Sequence, residues 1–190
     1  MTIAPVTAAP EHTSDRAAAS LVSVASWPAD SAAVRTLVAE YVDWLATASG
    51  VDPAAVQPSL LTELEAIEQW YAPPNGRIVL ARVGGTAVGI AGIHVLEPGV
   101  AELKRVYLRD SARGQNLGRR LVDAAVREAR HLGARRLLLE TSPEVMPAAY
   151  RIYLERGFRP VPRYSALDVD GVVAMERALG RFGAWRMPRG

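Results

Sequence analysis

The sequence predicts a domain of mixed α/β class, in which antiparallel hairpins come first and a β-α-β crossover follows. Three observations predict this class. Two strand-like segments flank Gly84-Gly85, which is a strong hairpin signal. Apolar residues recur at helical spacing between Val34 and Leu45, as on one buried helix face. A strand, a glycine-containing turn and a helix succeed one another over Val100–Leu132, as a crossover requires.

Length and composition set the outer limits. A chain of 190 residues can bury one substantial core. The absence of cysteine excludes disulfides, zinc–thiolate sites and thiol nucleophiles. The histidines His12, His94 and His131 fit no metal-ligand spacing, so we expect no metal. Neither a membrane-spanning apolar run nor a signal peptide is evident, so we expect a cytoplasmic protein without a membrane partner.

Positive charge is concentrated in the middle of the chain. Lys104 is the only lysine, against 21 arginines, and genomic base composition accounts for most of that preference. Between Arg105 and Arg163, however, 13 arginines stand against six acidic residues. This asymmetry indicates that the central segment meets an anion, without identifying it.

The first half of the chain begins with residues 1–20, which are rich in Ala, Pro, Thr and Ser and are predicted to be a disordered tail. A short strand is predicted at Leu21–Ser26. Asp30 or Ser31 can cap the helix that contains the Val34–Leu45 pattern. A second helix is predicted over Ser59–Trp70, where a Pro-Pro-Asn-Gly turn follows.

The second half alternates strands and helices. The strand after Gly84-Gly85 is apolar at nearly every position, so it is expected to be central and covered on both faces. The predicted strands are Arg77–Val83, Thr86–Val95, Val100–Leu108, Arg135–Thr141, Arg159–Asp168 and Val172–Leu179. The predicted helices are Leu117–Leu132 and Pro147–Arg156, and residues 181–190 are predicted to form another tail.

The turn between strand and helix at Arg113–Gly118 has the features of an anion site. The first N–H groups of a helix have no intrahelical partners, and the positive end of the helix dipole lies there. Gly114 and Gly118 allow close approach of a ligand. Arg119 and Arg120 are unfavourable in a first helical turn unless an anion offsets their charge. A plain turn with an arginine-coated surface explains the same residues, whereas a P-loop and a dinucleotide fingerprint do not match.

Two sequence motifs, at the spacing found in one known family, and one strand segment carry a family resemblance. Arg113-Gly114-Gln115-Asn116-Leu117-Gly118 is similar to [RQ]-x-x-G-x-[GA], with Asn116 where glycine is usual, and asparagine tolerates the left-handed conformation better than most residues. Ala149-x-x-Ile152-Tyr153-x-x-x-Gly157-Phe158 is similar to A-x-x-L-Y-x-x-x-G-F. Residues 102–108, Glu-Leu-Lys-Arg-Val-Tyr-Leu, resemble an E-L-K-R-[LM]-Y-V strand. Together they resemble the GNAT superfamily of acyl-CoA-dependent N-acyltransferases.

The resemblance implies a GNAT domain over residues 21–180, in three layers: a central mixed, mostly antiparallel sheet flanked by helices. It implies acetyl-CoA as cosubstrate and no metal. The pantetheine arm would pair with Val106, Tyr107 and Leu108, and one backbone N–H near Val106 or Tyr107 would meet the developing oxyanion. The residues implied for pyrophosphate binding are Arg113, Gly114, Gln115, Asn116, Leu117, Gly118 and Arg119.

Two proton transfers need side chains. Tyr153 is implied as the acid that protonates the leaving thiolate, although a core tyrosine with a solvated hydroxyl would fit the same position. Glu102 is the first candidate for the base that deprotonates the amine, and Glu140 the second. Strand alternation puts Glu102 on the face of Lys104 and Val106. A structural pair of Glu102 with Lys104 or an arginine fits that position equally well.

The leading functional hypothesis is therefore acetyl transfer to the amine of a small molecule or peptide. A CoA-binding protein without turnover is the alternative. Nucleic-acid binding ranks last because no aromatic residues interleave the basic ones. The acceptor is expected between the first two helices and the last strand pair. Trp44, Trp70, Tyr71 and Tyr164 could line its site, although core packing suits each. Homodimers are frequent in the family, and no interface can be identified from the sequence.

Overall fold

A computed structural model describes residues 19–57, 59–165 and 169–180, and a seven-stranded sheet organises them. In chain order the strands are β1 (Ser20–Val24), β2 (Gly76–Val83), β3 (Thr86–Glu97), β4 (Val100–Leu108), β5 (Arg136–Thr141), β6 (Arg159–Val161) and β7 (Val173–Ala178). Their order in the sheet is β1-β2-β3-β4-β5-β7-β6. Among the strands of the described residues, β4 and β5 pair in parallel and all other pairs are antiparallel. The predicted mixed, mostly antiparallel sheet is therefore confirmed. Of the tails predicted at residues 1–20 and 181–190, residues 1–18 and 181–190 lie outside the described part, whereas Ser20 already belongs to β1.

Helices cover both faces of this sheet. They are α1 (Ser31–Ser49), α2 (Pro53–Val56), α3 (Ser59–Glu65), α4 (Ile67–Tyr71), α5 (Leu117–His131) and α6 (Pro147–Glu155). Apolar residues of α1 and α4 pack with one face of β2 and β3, and those of α5 and α6 pack with the opposite face of the sheet. The three layers expected from the sequence are thus present.

Helix α1 follows its predicted pattern. Val34, Leu37, Val38 and Tyr41 are buried against the sheet, as their spacing predicts. Asp30 precedes the helix but does not cap it with its side chain. Its carboxylate instead accepts a 2.8 Å hydrogen bond from the Ser26 N–H and lies 2.6 Å from the Arg82 guanidinium. Asp30 therefore ties the start of α1 to β2.

One predicted helix is wrong in its extent, and one short helix was not predicted. The single helix expected over Ser59–Trp70 is interrupted at Ala66, which takes a non-helical φ of −109° between α3 and α4. The short α2 was not predicted, although Asp52 caps it through a 2.9 Å bond from the Ala54 N–H and Pro53 occupies its first turn. These short helices form a cap over one face of the sheet.

The last strand pair also departs from expectation. Strand β6 ends at Val161 rather than at Asp168, and prolines at 160 and 162 have no N–H to donate to a ladder. Strand β7 lies between β5 and β6. Because β7 lies between β5 and β6, the segment that connects β6 to β7 returns toward the ends of β4 and β5.

Strand β3 is central and buried on both faces, as predicted. A Cβ at Gly92 would lie 2.7 Å from Cε1 of Tyr71, so only glycine admits that ring against the strand. Tyr71 is fully buried there. The close approach fixes α4 over the sheet and directs the Tyr71 hydroxyl to Glu63 of α3, 2.6 Å away.

Candidate active site

Two cavities flank the place where β4 and β5 part. The parallel pairing of these strands ends at Glu102 opposite Leu138, beyond which the strands diverge. A turn-side cavity of about 590 Å³ contains the end of β4, the start of α5 and part of α6. A helix-side cavity of about 420 Å³ contains residues of α1, α2, β4 and β5. Val145 and Met146 line both, so the two cavities meet at the loop after β5.

The turn-side cavity collects most of the residues predicted to bind a cosubstrate. Nine of the ten line it, and Gln115 does not. The nine are Val106, Tyr107, Leu108, Arg113, Gly114, Asn116, Leu117, Gly118 and Arg119. The structure therefore brings the motif and the strand end together around one space, while their binding roles stay a prediction.

The turn has the backbone geometry that a ligand requires. Asn116 lies in the left-handed region at φ 59°, a conformation that asparagine tolerates better than most residues. Gly114 has φ 80°, and a Cβ placed on it would meet no atom within 4 Å. Helix α5 begins immediately afterwards, so its first N–H groups border this open space. An anionic group fits here on geometry and on the sign of the helix dipole.

The arginines around the turn already have partners. Arg119 forms two bonds to the Glu155 carboxylate, at 2.9 and 3.0 Å. Arg120 donates to the Ser20 hydroxyl at 2.8 Å, and Arg113 lies 2.7 Å from Asp110. These contacts stabilise the cations at the start of α5 without an anion, so the arginines alone do not require one.

Tyr153 lies in α6 on the wall of the turn-side cavity. Its ring is buried and packs edge-on against Phe158, with centroids 5.8 Å apart. Burial, with a smaller contribution from Tyr41, raises the pKa of the Tyr153 phenol. The hydroxyl is therefore protonated at neutral pH and is available to donate its proton to an atom that gains negative charge at the cavity wall.

Glu102 lies in the helix-side cavity, where it is held from two sides. Tyr164 donates a 2.8 Å hydrogen bond to Glu102 Oε1, and Lys104 Nζ lies 3.2 Å from Oε2. The Glu102–Lys104 pair considered from the sequence is therefore present. It leaves the carboxylate able to accept a further hydrogen bond, since each carboxylate oxygen has two lone pairs.

Glu140 lines the same cavity on the neighbouring strand. The Ser165 hydroxyl lies 2.8 and 2.9 Å from its two oxygens. Burial, and then the negative charge of Glu102, raise the pKa of Glu140 despite the Ser165 bond. A carboxylate with a raised pKa is better matched to accepting a proton near neutrality.

A bulge at Arg105 overturns one expectation about strand faces. Arg105 has φ 54°, and the β3–β4 register shifts between Ile90 and Gly92. The extra residue reverses the alternation beyond it. Val106 consequently packs with the α5 side of the core, on the side of Leu103 and not with Glu102 as alternation predicted. Tyr107 turns toward α1, 6.3 Å from Tyr41.

The residues missed from the sequence form a buried polar cluster beneath the helix-side cavity. Arg105 donates two bonds of 2.8 Å to the two oxygens of Glu63, which is fully buried and also accepts from Tyr71. Glu63 stands in an amphipathic segment where a glutamate is ordinarily exposed. Nothing in its spacing connects it to a residue 42 positions later, so no sequence signal announces the pair.

The four aromatic residues considered for the acceptor have different surroundings. Trp44 lines the turn-side cavity, and Tyr164 holds Glu102. Trp70 stacks on His94, with centroids 4.4 Å apart, and Tyr71 is buried on Gly92. The aromatic ring that does line the helix-side cavity is Tyr41 of α1.

Within the described residues, no cluster of three or more His, Asp or Glu side chains is arranged to hold a metal ion. In the same part of the chain, no helix combines the length and the apolar character needed to cross a bilayer.

Comparison with known proteins agrees with this geometry. Residues 35–158 match the model of the Acetyltransferase (GNAT) family. An uncharacterized N-acetyltransferase of Schizosaccharomyces pombe is 34% identical over 113 residues, which are 58% of this chain and 69% of that protein. An IAA acetyltransferase of Azospirillum brasilense is 38% identical over 91 residues, 47% of this chain and 59% of that protein.

Solved structures show the same fold. A Klebsiella pneumoniae protein described as an acyl-CoA N-acyltransferase superposes with a TM-score of 0.65 at 27% identity, covering 85% of this chain and 98% of its own. The protein yncA of Salmonella typhimurium, whose structure includes its cofactor acetyl-CoA, has a TM-score of 0.65 at 18% identity. That match covers 87% of this chain and 96% of the other.

Proposed function

The chain belongs to the GNAT acetyltransferase family, and from this premise we propose that it moves the acetyl group of acetyl-CoA onto a primary amine by direct attack. One observation carries the proposal. A buried, protonated tyrosine, the free edge of a diverging strand and the start of a helix border a single cavity that opens toward two carboxylates. One relative named as an N-acetyltransferase and another named as an acetyltransferase support an acetyl-transfer reaction.

Binding of acetyl-CoA is proposed in the turn-side cavity. Acetyl-CoA supplies the acetyl group as a thioester. Beyond Glu102, β4 has no ladder partner among the described residues of β5. Its edge at Val106–Leu108 can therefore pair with the amides of an extended chain. The N–H groups at the start of α5, framed by Gly114 and Asn116, would receive the pyrophosphate.

The leaving sulfur is proposed to take its proton from Tyr153. The amine nitrogen forms a bond to the acyl carbon, the carbon–sulfur bond breaks, and the departing sulfur accepts the phenolic proton. The proton that the nitrogen loses on becoming an amide then restores the phenol. A backbone N–H at the β4 bulge, near Val106 or Tyr107, would stabilise the negative charge that develops on the acyl oxygen. The raised pKa of Tyr153 keeps the proton on the phenol until the thiolate forms.

The amine is proposed to enter through the helix-side cavity. An alkylammonium must lose a proton before it can attack, so a carboxylate close to its path is needed. Glu102 and Glu140 both line that cavity. Two donors already engage Glu102, whereas the pKa of Glu140 is raised, so we propose Glu140 as the base and Glu102 as the group that holds the ammonium.

The test is a product assay with the purified full chain and acetyl-CoA against monoamines, diamines, amino acids and peptides. The proposal predicts free CoA and acetylated amine in equal amounts for at least one acceptor class. Calorimetric titration with CoA is run in parallel. Binding of CoA with no acetylated product from any class would instead favour the alternative of a CoA-binding protein without turnover.

The proposed location, a cytoplasmic one, is tested separately by cell fractionation.

A further inference from the structure

We propose that Arg105 is a positioning residue, whose ion pair with Glu63 clamps the helical cap of the acceptor cavity onto the bulge that presents the acetyl group. This inference rests on the proposed acetyl transfer. It concerns two residues that contact neither reacting atom. Their side chains are instead placed to fix the backbone at the junction of the two cavities.

The backbone conformation of Arg105 in the bulge is unfavourable by itself. A non-glycine residue at φ 54° brings its Cβ close to the carbonyl oxygen that follows, so the conformation persists only where the surroundings enforce it. Glycine would adopt this geometry freely, yet arginine occupies the position. The side chain of Arg105 is thus expected to supply what the backbone lacks.

That side chain is anchored at several points. Arg105 Nε and Nη2 each donate a 2.8 Å bond to Glu63, and Nη1 donates a 3.2 Å bond to Gln57. Only 6% of Arg105 and none of Glu63 is exposed. Although burial opposes it, the bond and charge of Glu63 raise the pKa of Arg105, so the cation is permanent. A bidentate Arg–carboxylate contact fixes the orientation of the guanidinium as well as its distance from the carboxylate.

The anchors come from the cap. Glu63 belongs to α3, Gln57 follows α2, and the Arg105 guanidinium lies 6.0 Å from the Tyr41 ring of α1. The Tyr71 hydroxyl of α4 donates to Glu63. Arg105 of β4 is therefore in contact with α1, α3 and the residue after α2, and it is linked to α4 through Glu63.

Arg105 stands at the boundary between the cavities. Arg105, Tyr41 and Gln57 line the helix-side cavity, and Val106–Leu108 line the turn-side cavity. A displacement of the cap would move the Arg105 side chain, and with it the backbone of the following two residues. A buried ion pair seldom stabilises a fold more than apolar residues of similar volume would. The role that we propose for the Arg105–Glu63 pair is therefore to place the backbone of β4, and not to stabilise the fold.

The test separates placement from folding by removing both charges together. In Arg105→Met/Glu63→Gln, both charges are removed together, Lys104 keeps Glu102 as its partner, and the amide oxygen of Gln can still accept from the Tyr71 hydroxyl, so the variant is expected to fold. The matched control is Arg82→Met/Asp30→Asn, a half-buried ion pair between β2 and the start of α1 that lines neither cavity. For each protein we measure the free energy of unfolding, the Kd for CoA, and kcat and KM with acetyl-CoA.

The clamp predicts that the Arg105/Glu63 variant keeps its Kd for CoA but loses kcat by about a hundredfold, as misplacement of a reacting group by about 1 Å does. The control is expected to keep both. Arg105→Lys, with Glu63 left in place, keeps the positive charge but loses the bidentate contact. Its kcat is expected to lie between those of the wild type and the double variant. A kcat equal to that of the control in the double variant would overturn the inference.

A second readout does not depend on turnover. The amide ¹H–¹⁵N signals of Val106 and Tyr107 are expected to shift in the Arg105/Glu63 variant and to stay fixed in the control. Unchanged signals in a folded double variant would overturn the clamp. If the wild-type chain transfers no acetyl group to any amine, the proposed function fails, and the amide signals still decide whether the clamp exists.

Discussion

Tyr164 donates a 2.8 Å hydrogen bond from its hydroxyl to Glu102 Oε1, across 62 residues of sequence. The neighbouring Ser165 hydroxyl reaches Glu140. The segment after β6 therefore places one hydroxyl beside each of the two carboxylates that line the helix-side cavity. Burial, and then Glu102, raise the pKa of Tyr164, so it stays a donor at every pH at which the protein would work.

Replacing Tyr164 with Phe removes the donor and leaves Glu102 with Lys104 alone. A hydrogen bond to a charged group contributes about 1.5–3 kcal/mol, so we expect kcat/KM for the amine to fall about tenfold or more. The KM for acetyl-CoA is expected to stay unchanged, because Tyr164 does not line the turn-side cavity. Steady-state kinetics with each substrate varied in turn measures both. An equal loss for both substrates would contradict the assignment of Tyr164 to the acceptor side.

The pH profile distinguishes the two carboxylates. A base must be deprotonated, so kcat/KM rises with pH through its pKa, which for Glu140 lies above the ordinary 4.5. Glu140→Gln is expected to remove this limb and to lower the rate by about 10²–10⁴-fold. Glu102→Gln is expected to keep the limb and to raise KM for the amine. The opposite result, in which only Glu102→Gln abolishes the limb, would identify Glu102 as the base.

Asn116 provides a test of the turn. Its φ of 59° suits glycine better than any L-residue, so Asn116→Gly is expected to keep or tighten CoA binding. Asn116→Val places a β-branched residue in the left-handed region at a cost of about 1–2 kcal/mol, and is expected to weaken binding about tenfold. Calorimetric titration with CoA measures each. Equal Kd values for all three proteins would place the pyrophosphate elsewhere.

The buried pair makes a prediction about acid stability. Burial works to raise the pKa of Glu63, but the bond and charge of Arg105 outweigh it, so the folded pKa lies below 4.5. A depressed pKa contributes stability that is fully present above the unfolded value and lost as pH falls through the folded value. We therefore expect Glu63→Gln to flatten the decline of the free energy of unfolding below about pH 4.5.

Urea unfolding at a series of pH values measures that slope. The matched control is Glu155→Gln, since Glu155 pairs with Arg119 on the exposed surface. The control is expected to change the slope little, because solvent screens exposed pairs. A decline in Glu63→Gln as steep as in the wild type would contradict the role of this pair.

Local signals in the sequence predicted much of the fold. Gly84-Gly85 identified the β2–β3 hairpin, and the spacing from Val34 onward identified the buried face of α1. The left-handed conformation of Asn116 is compatible with its residue type. Each of these features depends on residues within one turn or one helical repeat, where local preferences decide.

The features that were missed depend on distant contacts. Arg105 carries no local preference for φ 54°, so the bulge and the reversed face of Val106 follow from Glu63, in a helix 42 residues earlier. The position of β7 between β5 and β6 likewise depends on pairing across the sheet. Helix α2 is the exception, since Asp52 and Pro53 are local signals for the start of a helix.

The central claim is that Tyr153 protonates the leaving thiolate in the turn-side cavity. The most direct measurement is the single-turnover rate of thiol release from acetyl-CoA with a saturating acceptor amine, in Tyr153→Phe and in Tyr150→Phe. Tyr150 lies one turn earlier in α6 and outside both cavities' linings. We predict a loss of about 10²–10⁴-fold for Tyr153→Phe with an unchanged Kd for CoA, and a rate near wild type for Tyr150→Phe. A full rate in Tyr153→Phe at every pH would contradict the account.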